Sequence, residues 1–211
     1  MVRILPLGTS FSWLGRSESV RDGAGDALAG ATDHVLIPRN RVKTDWVVEL
    51  AVIIGKTARY LSTPADARAA IAGYAVSNDV SELAFQLERG GRWDKGKSCE
   101  TFSPRGPWLV TPDAVAAPQS LRLRTWVDGQ LYQDASTSDM IFSVDYLVWH
   151  ISQFMVLYPG DVIHMGTPAG VALGQPDPKP YVRHRSVVAC EIDGHGRPRN
   201  VLRSARGREP P

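Results

Sequence analysis

The sequence contains few cysteines, almost no net charge and no long apolar run. Its two cysteines, Cys99 and Cys190, do not make a disulfide framework in a chain of 211 residues, and they suit a reducing compartment. The formal net charge of +2 gives no electrostatic reason to expect a nucleic-acid or membrane partner. No apolar stretch approaches the roughly 20 residues of a membrane span. Pro6 and Gly8 break the apolar patch at the beginning of the chain, which makes it a poor signal peptide. We therefore expect a cytoplasmic protein that binds neither nucleic acid nor membrane.

The remaining composition is ordinary for a globular protein. Hydrophobic residues make up 43% of the chain and charged residues 22%, and the length suits one domain with a sizeable core. Residues 1–28 are dominated by Gly, Ser, Arg and Ala without a steady period, so we predict an irregular or disordered segment there. Residues 29–203 form the predicted folded domain. Residues 204–211 form a basic tail, for which exposure to solvent is a better explanation than nucleic-acid binding.

Strand signals outnumber helix signals along the chain. The clearest buried strand is 46–55, an almost continuous run of β-branched and aliphatic residues. Two alternating runs flank Asp128 and Gly129, a pair suited to the type I′ turn of a β-hairpin. Because strands and helices do not alternate as βαβ units, we predict an α+β fold rich in antiparallel sheet. Further strands are predicted at 34–38, where Pro38 ends the strand, and at 75–80, 107–110, 161–166, 186–192 and 199–202. Helices are predicted at 64–73, 81–91 and 144–157, with N-caps at Thr63, Ser81 and Ser143.

A single acid, Glu49, interrupts the apolar strand 46–55. A carboxylate inside such a run is costly to bury unless a cation or strong donors receive it. Glu49 is therefore either a strand-end residue that points into solvent or a metal ligand on a rigid strand, with Asp79 and Lys97 as its first candidate partners. Taken alone, Asp79 could equally cap the helix that starts at Ser81, and Lys97 could be a solvated loop lysine. His164 is predicted to be a hydrogen-bonded core or surface histidine rather than a ligand.

Six motifs lie in a fixed order between residues 29 and 202: DWVVELAVIIG, AGYAVSNDVS, WDKGKSCETFSPRGPWLVT, STSDMIF, FMVLYPGDVIHMGTPAGVALG and EIDGHG. Together they resemble the fumarylacetoacetate hydrolase family, in the form of its C-terminal catalytic domain found in short bacterial members. The resemblance implies a mixed β-sandwich roll with a few short helices, usually a homodimer, holding Mg²⁺ or Mn²⁺ in a carboxylate cup. Members cleave a carbon–carbon bond in acylpyruvates and related 2,4-dioxo acids, and relatives decarboxylate or isomerise similar oxo acids.

The resemblance also assigns roles to individual residues of this chain. Two of the family's three metal-binding acids are matched, and so are a lysine whose fixed charge holds substrate oxygens and several residues that contact the substrate. The matched residues are Glu49 and Asp79 for the metal, Lys97 for catalysis, and Gln86, Gly166 and Thr167 for the substrate.

Several family positions are not matched. Val47 stands where the family has the first of two strand acids, and Glu49 is the second. Residues 47 and 49 would share a face because side chains alternate along a strand. Leu83 and Ala84 stand where the family has an arginine and an aspartate. None of the five histidines falls where the family's water-activating histidine–glutamate dyad belongs. The metal site is therefore expected to bind its ion weakly.

The sequence thus predicts a metal-dependent hydrolase of a small 2,4-dioxo acid. Two alternatives remain open: a family member that binds a ligand or partner subunit without turnover, and an oxo-acid decarboxylase or isomerase, which would not need the dyad. In each case Glu49 and Asp79 should lie close together with Lys97 nearby, around one pocket.

Overall fold

The chain forms fourteen strands and three short α-helices within residues 10–14, 17–21 and 25–205, which are the residues that this computed structural model describes. Short 3₁₀ helices connect several of them. The strands are β1 (Ser10–Leu14), β2 (Ser17–Arg21), β3 (Leu28–Ala29), β4 (His34–Ile37), β5 (Thr44–Asp45), β6 (Val48–Ile54), β7 (Ile71–Asn78), β8 (Ser81–Glu82), β9 (Ser103–Val110), β10 (Arg122–Val127), β11 (Gln130–Ser136), β12 (Val162–His164), β13 (Val187–Ile192) and β14 (Arg199–Ser204). The helices are α1 (Leu83–Leu87), α2 (Trp93–Lys97) and α3 (Val144–Ser152).

The strands form two main sheets. The larger has the order β2-β1-β12-β6-β7-β9-β3, the second has the order β11-β10-β13-β14-β4, and β5 pairs with β8 alone. Most pairs are antiparallel, and the parallel ones join β1 to β12, β14 to β4 and β3 to β9. Buried side chains from both sheets, such as Leu50 and Val188, belong to one apolar core. The predicted α+β, β-rich fold is therefore confirmed.

Strand β6 lies near the middle of the larger sheet and is buried along its whole length. Its even-numbered residues, Val48 to Ile54, contribute to the main core. Ala51 and Ile53 contribute to a second, smaller apolar cluster, as expected from the alternation of side chains along a strand. Glu49 shares the face of Ala51 and Ile53, so its carboxylate is held on a strand whose both faces are covered. The interpretation of Glu49 as a solvent-facing strand end is thereby excluded.

Two local predictions are confirmed. β10 and β11 form an antiparallel hairpin whose turn residues, Asp128 and Gly129, both have positive φ, as a type I′ turn requires. Ser143 caps α3, because its side chain accepts a hydrogen bond from the backbone N–H of Tyr146. The helix ends at Ser152, five residues before the predicted end.

Three other expectations are corrected. Residues 1–28 were expected to be irregular, but 10–14 and 17–21 form β1 and β2, which pair with each other and extend the larger sheet beside β12. The sequence SFSWL alternates over its first four residues, whereas SESVR has one apolar residue and no pattern of its own, so the pairing with a neighbouring strand decides both. Residues 1–9, 15–16, 22–24 and 206–211 lie outside the described residues, and with them most of the predicted basic tail.

Helix boundaries account for the other two corrections. The segment predicted as a helix up to residue 73 is a 3₁₀ helix, Pro64–Ala70, and residues 71–73 already belong to β7. The helix predicted from Ser81 begins at Leu83, since Ser81 and Glu82 pair with β5 and Glu82 becomes the N-cap. Helix α2 was not predicted. In all three cases pairing or packing with distant residues overrides the local signal.

Candidate functional site

Three adjacent strands bring a carboxylate, a second carboxylate and an imidazole together. Glu49 lies on β6, Asp79 follows the end of β7, and His164 ends β12. One ligand atom from each lies within 4.8 Å of the ligand atoms of the other two, and all three residues are buried. We call these residues the ligand cluster. Glu49 and Asp79 therefore meet as the sequence predicted, and His164, which was interpreted as a structural histidine, lies with them.

The Glu49 carboxylate is oriented by the loop after β12. Its Oε2 accepts a hydrogen bond of 2.6 Å from the backbone N–H of Gly166. Gly166 has a φ of +91°, a conformation that side-chain-bearing residues rarely adopt. The glycine of the GTPAG motif is thus needed for the turn that aims its N–H at Glu49.

Asp79 forms a buried ion pair with Lys97. The Lys97 ammonium contacts Oδ2 of Asp79, while Oδ1 lies 3.7 Å from Nδ1 of His164. The Asp79 carboxylate therefore does not cap helix α1, and Lys97 is not a solvated loop lysine. Removing one member of such a pair would leave an uncompensated buried charge.

Residue 47 lies directly beside Asp79. The backbone N–H of Val47 donates to Oδ1 of Asn78 at 2.8 Å, and its carbonyl accepts from the backbone N–H of Asp79 at 2.8 Å. Val47 is itself buried. The chain at residue 47 is thus held next to Asp79 by two backbone hydrogen bonds, and the side chain there is apolar.

Close packing of α1 against α2 places Lys97. A Cβ atom on Gly96 would lie only 2.7 Å from Cβ of Gln86 and 2.7 Å from the carbonyl oxygen of Glu82. Only glycine permits this approach, which carries the next residue, Lys97, toward Asp79. Gln86 is buried at this contact, and its Oε1 has no hydrogen-bond donor within the described part of the chain.

A second buried cation, Arg105, lies in the same cross-strand row as Glu49. Glu49 pairs with Ser77 and Ser77 pairs with Arg105, so the three side chains share one face. Nη2 of Arg105 donates to Oγ of Ser103 at 2.7 Å. Among residues 10–14, 17–21 and 25–205, nothing accepts from its Nε or Nη1. Burial lowers the pKa of Arg105 to about 10, against the opposing effect of the Asp79 charge, so the side chain stays cationic at neutral pH.

Asp45 anchors the loop that follows the GTPAG motif. Its carboxylate accepts hydrogen bonds from the backbone N–H groups of Trp46, Ala172 and Leu173 at 2.7 to 2.8 Å. Burial raises the pKa of Asp45 to about 6, because desolvation outweighs these hydrogen bonds and the nearby charge of Lys97. This acid is a structural neighbour of the site rather than a member of the ligand cluster.

The hydroxyl of Thr167 is already engaged by the protein. It donates to the carbonyl of Val48 at 2.7 Å and accepts from Nε2 of Gln133 at 2.8 Å. Gln133 is fully buried, and its Oε1 also accepts a hydrogen bond from the hydroxyl of Thr125. A substrate that bound to the Thr167 hydroxyl would therefore have to displace one of these hydrogen bonds.

A cavity of about 240 Å³ borders this loop. Gly166 and Thr167 form part of its wall, together with Leu50 from the opposite face of β6 and the segment from Ser136 to Phe142. The cavity and the ligand cluster thus lie on opposite sides of β6 and share the GTPAG loop. This placement connects the predicted substrate residues Gly166 and Thr167 to an open volume.

The ligand cluster fits a divalent cation. An ion that binds oxygen or nitrogen at about 2.0–2.6 Å spans at most roughly 4–5 Å between two of its ligand atoms, and the separations within the cluster are at most 4.8 Å. Two carboxylates and one imidazole are donors that Mn²⁺, Fe²⁺, Co²⁺ and Zn²⁺ accept. Bound in this way, an ion would retain open positions for water or for substrate oxygens.

Sequence reasoning missed three residues of this region: Arg105, Gln133 and the role of His164. Arg105 and Gln133 stand in strand segments where the pattern shows only a polar residue on one face. What makes them part of the site is their cross-strand neighbours. An isolated polar residue in an otherwise apolar strand, such as His164 in DVIHMG, was the one local signal available.

Known proteins resemble this chain over most of its length. Residues 18–203 match the family described as "Fumarylacetoacetate (FAA) hydrolase C-terminal". A Burkholderia multivorans protein named "Putative hydrolase" is 47% identical over 182 residues, which are 85% of this chain and 64% of that protein. The chain thus spans just under two thirds of the length of this curated relative. In the part that the structure describes, no helix is long and apolar enough to cross a membrane.

Solved structures show the same fold. A 2-hydroxyhepta-2,4-diene-1,7-dioate isomerase from Mycobacterium marinum is 32% identical with a TM-score of 0.84, covering 96% of this chain and 77% of its own. A fumarylacetoacetate hydrolase from Exiguobacterium antarcticum is 34% identical with a TM-score of 0.83. The match covers 90% of this chain and 67% of that protein's chain. The six ordered motifs, the two-sheet fold and these matches lead to one conclusion: the chain belongs to the fumarylacetoacetate hydrolase family.

Proposed function

We propose that this chain binds a divalent cation, Mg²⁺ or Mn²⁺ in the simplest case, together with a small 2,4-dioxo acid, and hydrolyses a carbon–carbon bond of that acid. The observation that carries the proposal is the convergence of Glu49, Asp79 and His164 within 4.8 Å of one another, beside the buried ammonium of Lys97. Family membership supports the reaction class, since the family includes proteins named as hydrolases and as isomerases of related acids.

The charges around the ligand cluster favour an anionic substrate. Glu49 and Asp79 contribute two negative charges, and Lys97 and Arg105 contribute two positive ones, so a bound divalent cation makes the region positive. In a buried site such an excess attracts a carboxylate more strongly than it would in water. Arg105 has two nitrogens without an acceptor in the described residues, and a guanidinium binds a carboxylate through two parallel hydrogen bonds. It is a candidate replacement for the family arginine whose position Leu83 occupies.

The protein groups at this site orient the two carboxylates and compensate their charge. A bound divalent ion supplies Lewis-acid polarisation of carbonyl oxygens and stabilises enolate charge. Gly166 fixes Glu49 through its N–H. Lys97 holds Asp79 and keeps a positive charge near any substrate oxygen placed there. Because these groups are held by strands and by the α1–α2 contact, they need little reorganisation when charge develops.

The test is an assay of the purified chain on an acylpyruvate and on oxaloacetate, with added Mg²⁺ or Mn²⁺ and after chelation. We expect release of pyruvate and a free carboxylic acid from the acylpyruvate, abolished by chelation. Glu49→Gln and Lys97→Met should lower kcat/KM by roughly 10²-fold or more, the usual effect of removing one preorganised electrostatic group. Lys56→Met, at an exposed lysine, is the matched control and should leave activity unchanged. Turnover that survives both chelation and Glu49→Gln would refute the proposal.

A second candidate, an isomerase or decarboxylase of a similar oxo acid, is favoured by one specific observation. Hydrolysis needs a group that takes a proton from water, and the sequence matches no residue to the family's histidine–glutamate dyad. Isomerisation and decarboxylation need no activated water. The same assay separates the functions, because decarboxylation of oxaloacetate releases carbon dioxide, whereas isomerisation changes the substrate without fragmenting it. Metal-dependent ligand binding without any turnover would identify a binding protein.

A further inference from the structure

His164 lies on the strand next to Glu49 and faces the same side of the sheet. It pairs with Ala51 across β12 and β6, and Ala51 is two residues from Glu49 on one strand, so all three side chains share a face. Asp79 reaches the same point from the end of β7, on the other side of β6. The three members of the ligand cluster thus come from three consecutive strands, which hold them with little freedom.

Two contacts of the imidazole indicate which ring nitrogen faces the acids. Nε2 of His164 lies 3.4 Å from Oγ of Ser77, and Nδ1 lies 3.7 Å from Oδ1 of Asp79. If Nε2–H donates to the Ser77 hydroxyl, the neutral ring carries its lone pair on Nδ1, on the side of Asp79. A hydrogen bond at one ring nitrogen is the usual device that fixes the tautomer of a metal-binding histidine.

We propose that His164 is the third protein ligand of the divalent cation, through Nδ1, and that it takes over the function of a carboxylate that Val47 cannot supply. This inference rests on the proposed function for the presence of an ion and adds the identity of the ligand. The backbone of Val47 lies beside Asp79, and the valine side chain has no donor atom for a metal, so a third ligand has to come from elsewhere. The imidazole of β12 supplies it from the opposite side of Glu49.

An imidazole in place of a carboxylate changes which ions the site prefers. Mg²⁺ favours oxygen ligands and near-ideal octahedral geometry, whereas imidazole suits the later first-row metals. The exchange also removes one negative charge from the cup, which weakens its attraction for a hard cation. We therefore expect Co²⁺, Mn²⁺ and Zn²⁺ to bind this chain more tightly than Mg²⁺, in the order Mn²⁺ < Co²⁺ and with Zn²⁺ the tightest of the three.

The decisive measurement is pulsed EPR of the full chain loaded with one equivalent of Mn²⁺. Electron-spin-echo modulation from a directly bound ¹⁴N is expected in the wild type, and it should change to the ¹⁵N pattern when histidine alone is ¹⁵N-labelled. This readout needs neither a variant nor turnover. In parallel, calorimetric titrations with Co²⁺ and Mg²⁺ compare the wild type with His164→Gln, and His34→Gln, at an exposed histidine, is the matched control.

We expect His164→Gln to lose the nitrogen modulation and to bind Co²⁺ at least about tenfold more weakly, at the lower end of the losses that removing even an outer-shell partner causes. Its Mg²⁺ affinity should change by less than about threefold, and His34→Gln should match the wild type. If Mn²⁺ binds in a Glu49-dependent manner but shows no histidine nitrogen, this inference is overturned while the proposed function stands. If Glu49→Gln leaves Mn²⁺ binding unchanged, the ion lies elsewhere and the metal part of the proposed function fails as well.

Discussion

At the scale of single residues, the site is governed by how buried charges are compensated. The Asp79 carboxylate forms an ion pair with the Lys97 ammonium, and the Glu49 carboxylate accepts a hydrogen bond from the N–H of Gly166. One nitrogen of Arg105 donates a hydrogen bond to Ser103, and its other two nitrogens have no acceptor within the described residues. Compensation that is incomplete without a ligand is typical of binding sites, since a protein selected for stability alone would avoid a half-satisfied buried guanidinium.

Val47→Glu should strengthen metal binding. The new carboxylate would share the face of Glu49 and lie next to Asp79, so without metal it adds a buried like charge and lowers stability by about 1–3 kcal/mol. With metal present the same charge becomes attractive, and a tenfold tighter site would add about 1.4 kcal/mol of stability at saturating ion. Thermal unfolding with and without excess Mg²⁺ or Mn²⁺ measures both effects.

Val42→Glu is the matched control for that experiment. Val42 is 72% exposed, so this substitution adds the same charge at the surface of the protein. It should show neither the loss nor the metal-dependent gain. If the wild type gains as much stability from metal as Val47→Glu does, residue 47 does not belong to the site.

Asp45 should make stability depend on pH in a direction opposite to that of most acids. Its pKa in the folded state is about 6, raised by burial above the ordinary value of 3.8. The folded state therefore binds the extra proton between about pH 4 and 6, so the contribution of Asp45 to stability is greatest below that window and is lost as the pH rises through it. Between the two ends of this pH window, the contribution of Asp45 to the free energy of unfolding should change by an amount on the order of 2–3 kcal/mol.

Urea unfolding of metal-free wild type and Asp45→Asn from pH 4 to 7 tests this expectation. The variant is less stable throughout, because its amide nitrogen cannot accept from Leu173. The stability advantage of the wild type should nevertheless grow as the pH falls. An advantage that stays constant, or that grows toward pH 7, would contradict the pKa assignment.

At the scale of elements, the contact between α1 and α2 determines where Lys97 lies. Replacing a helical glycine by alanine usually stabilises a helix by up to about 1 kcal/mol. At Gly96 the new methyl would meet Gln86 and the carbonyl of Glu82 at 2.7 Å, so the helices must separate. We expect Gly96→Ala to destabilise the protein by about 1–3 kcal/mol, as overpacking does, and to weaken turnover by displacing Lys97.

Gly174→Ala provides the comparison, since a Cβ at Gly174 would meet nothing within 4 Å. That variant should be neutral or slightly stabilising in thermal unfolding. Equal stabilities for the two alanine variants would show that the α1–α2 contact is looser than the structure has it.

At the scale of the whole molecule, we propose a homodimer in which α3 faces the partner. An aromatic row of Phe142, Tyr146, His150 and Phe154 follows one side of this helix, with ring centroids 4.9 to 6.0 Å apart. Phe154 is 49% exposed, and Ile141 at the start of the row is 75% exposed. Exposed aromatic residues are enriched at protein interfaces, so burial against a second copy would remove this surface from water.

Light scattering coupled to size exclusion should give about twice the 23.1 kDa of the monomer. Phe154→Glu should shift the protein toward monomer, whereas Leu131→Glu, at a similarly exposed residue of the hairpin, should not. A wild type that is monomeric at micromolar concentration would disprove the dimer, and a dimer insensitive to Phe154→Glu would place the interface elsewhere.

The sequence by itself determined the features whose causes lie within a few residues. Asp128 and Gly129 specify a hairpin turn because their backbone tolerates positive φ, and Ser143 specifies a helix start because its side chain caps it. The apolar run around Glu49 specified a buried strand for the same local reason. Glu49, Asp79 and Lys97 were selected as site residues by resemblance to a family, and no local signal would have joined them across 30 to 48 residues.

Only the tertiary structure decided what pairing and packing impose. Residues 71–73 became strand, and residues 10–14 and 17–21 joined the sheet, because a neighbouring strand was there to accept their hydrogen bonds. His164 and Arg105 entered the site because the register of four adjacent strands puts them on the face of Glu49. A side chain's face can be read from a two-residue period, but its neighbours depend on which strand lies alongside and in what register. That information is set by contacts between distant parts of the chain.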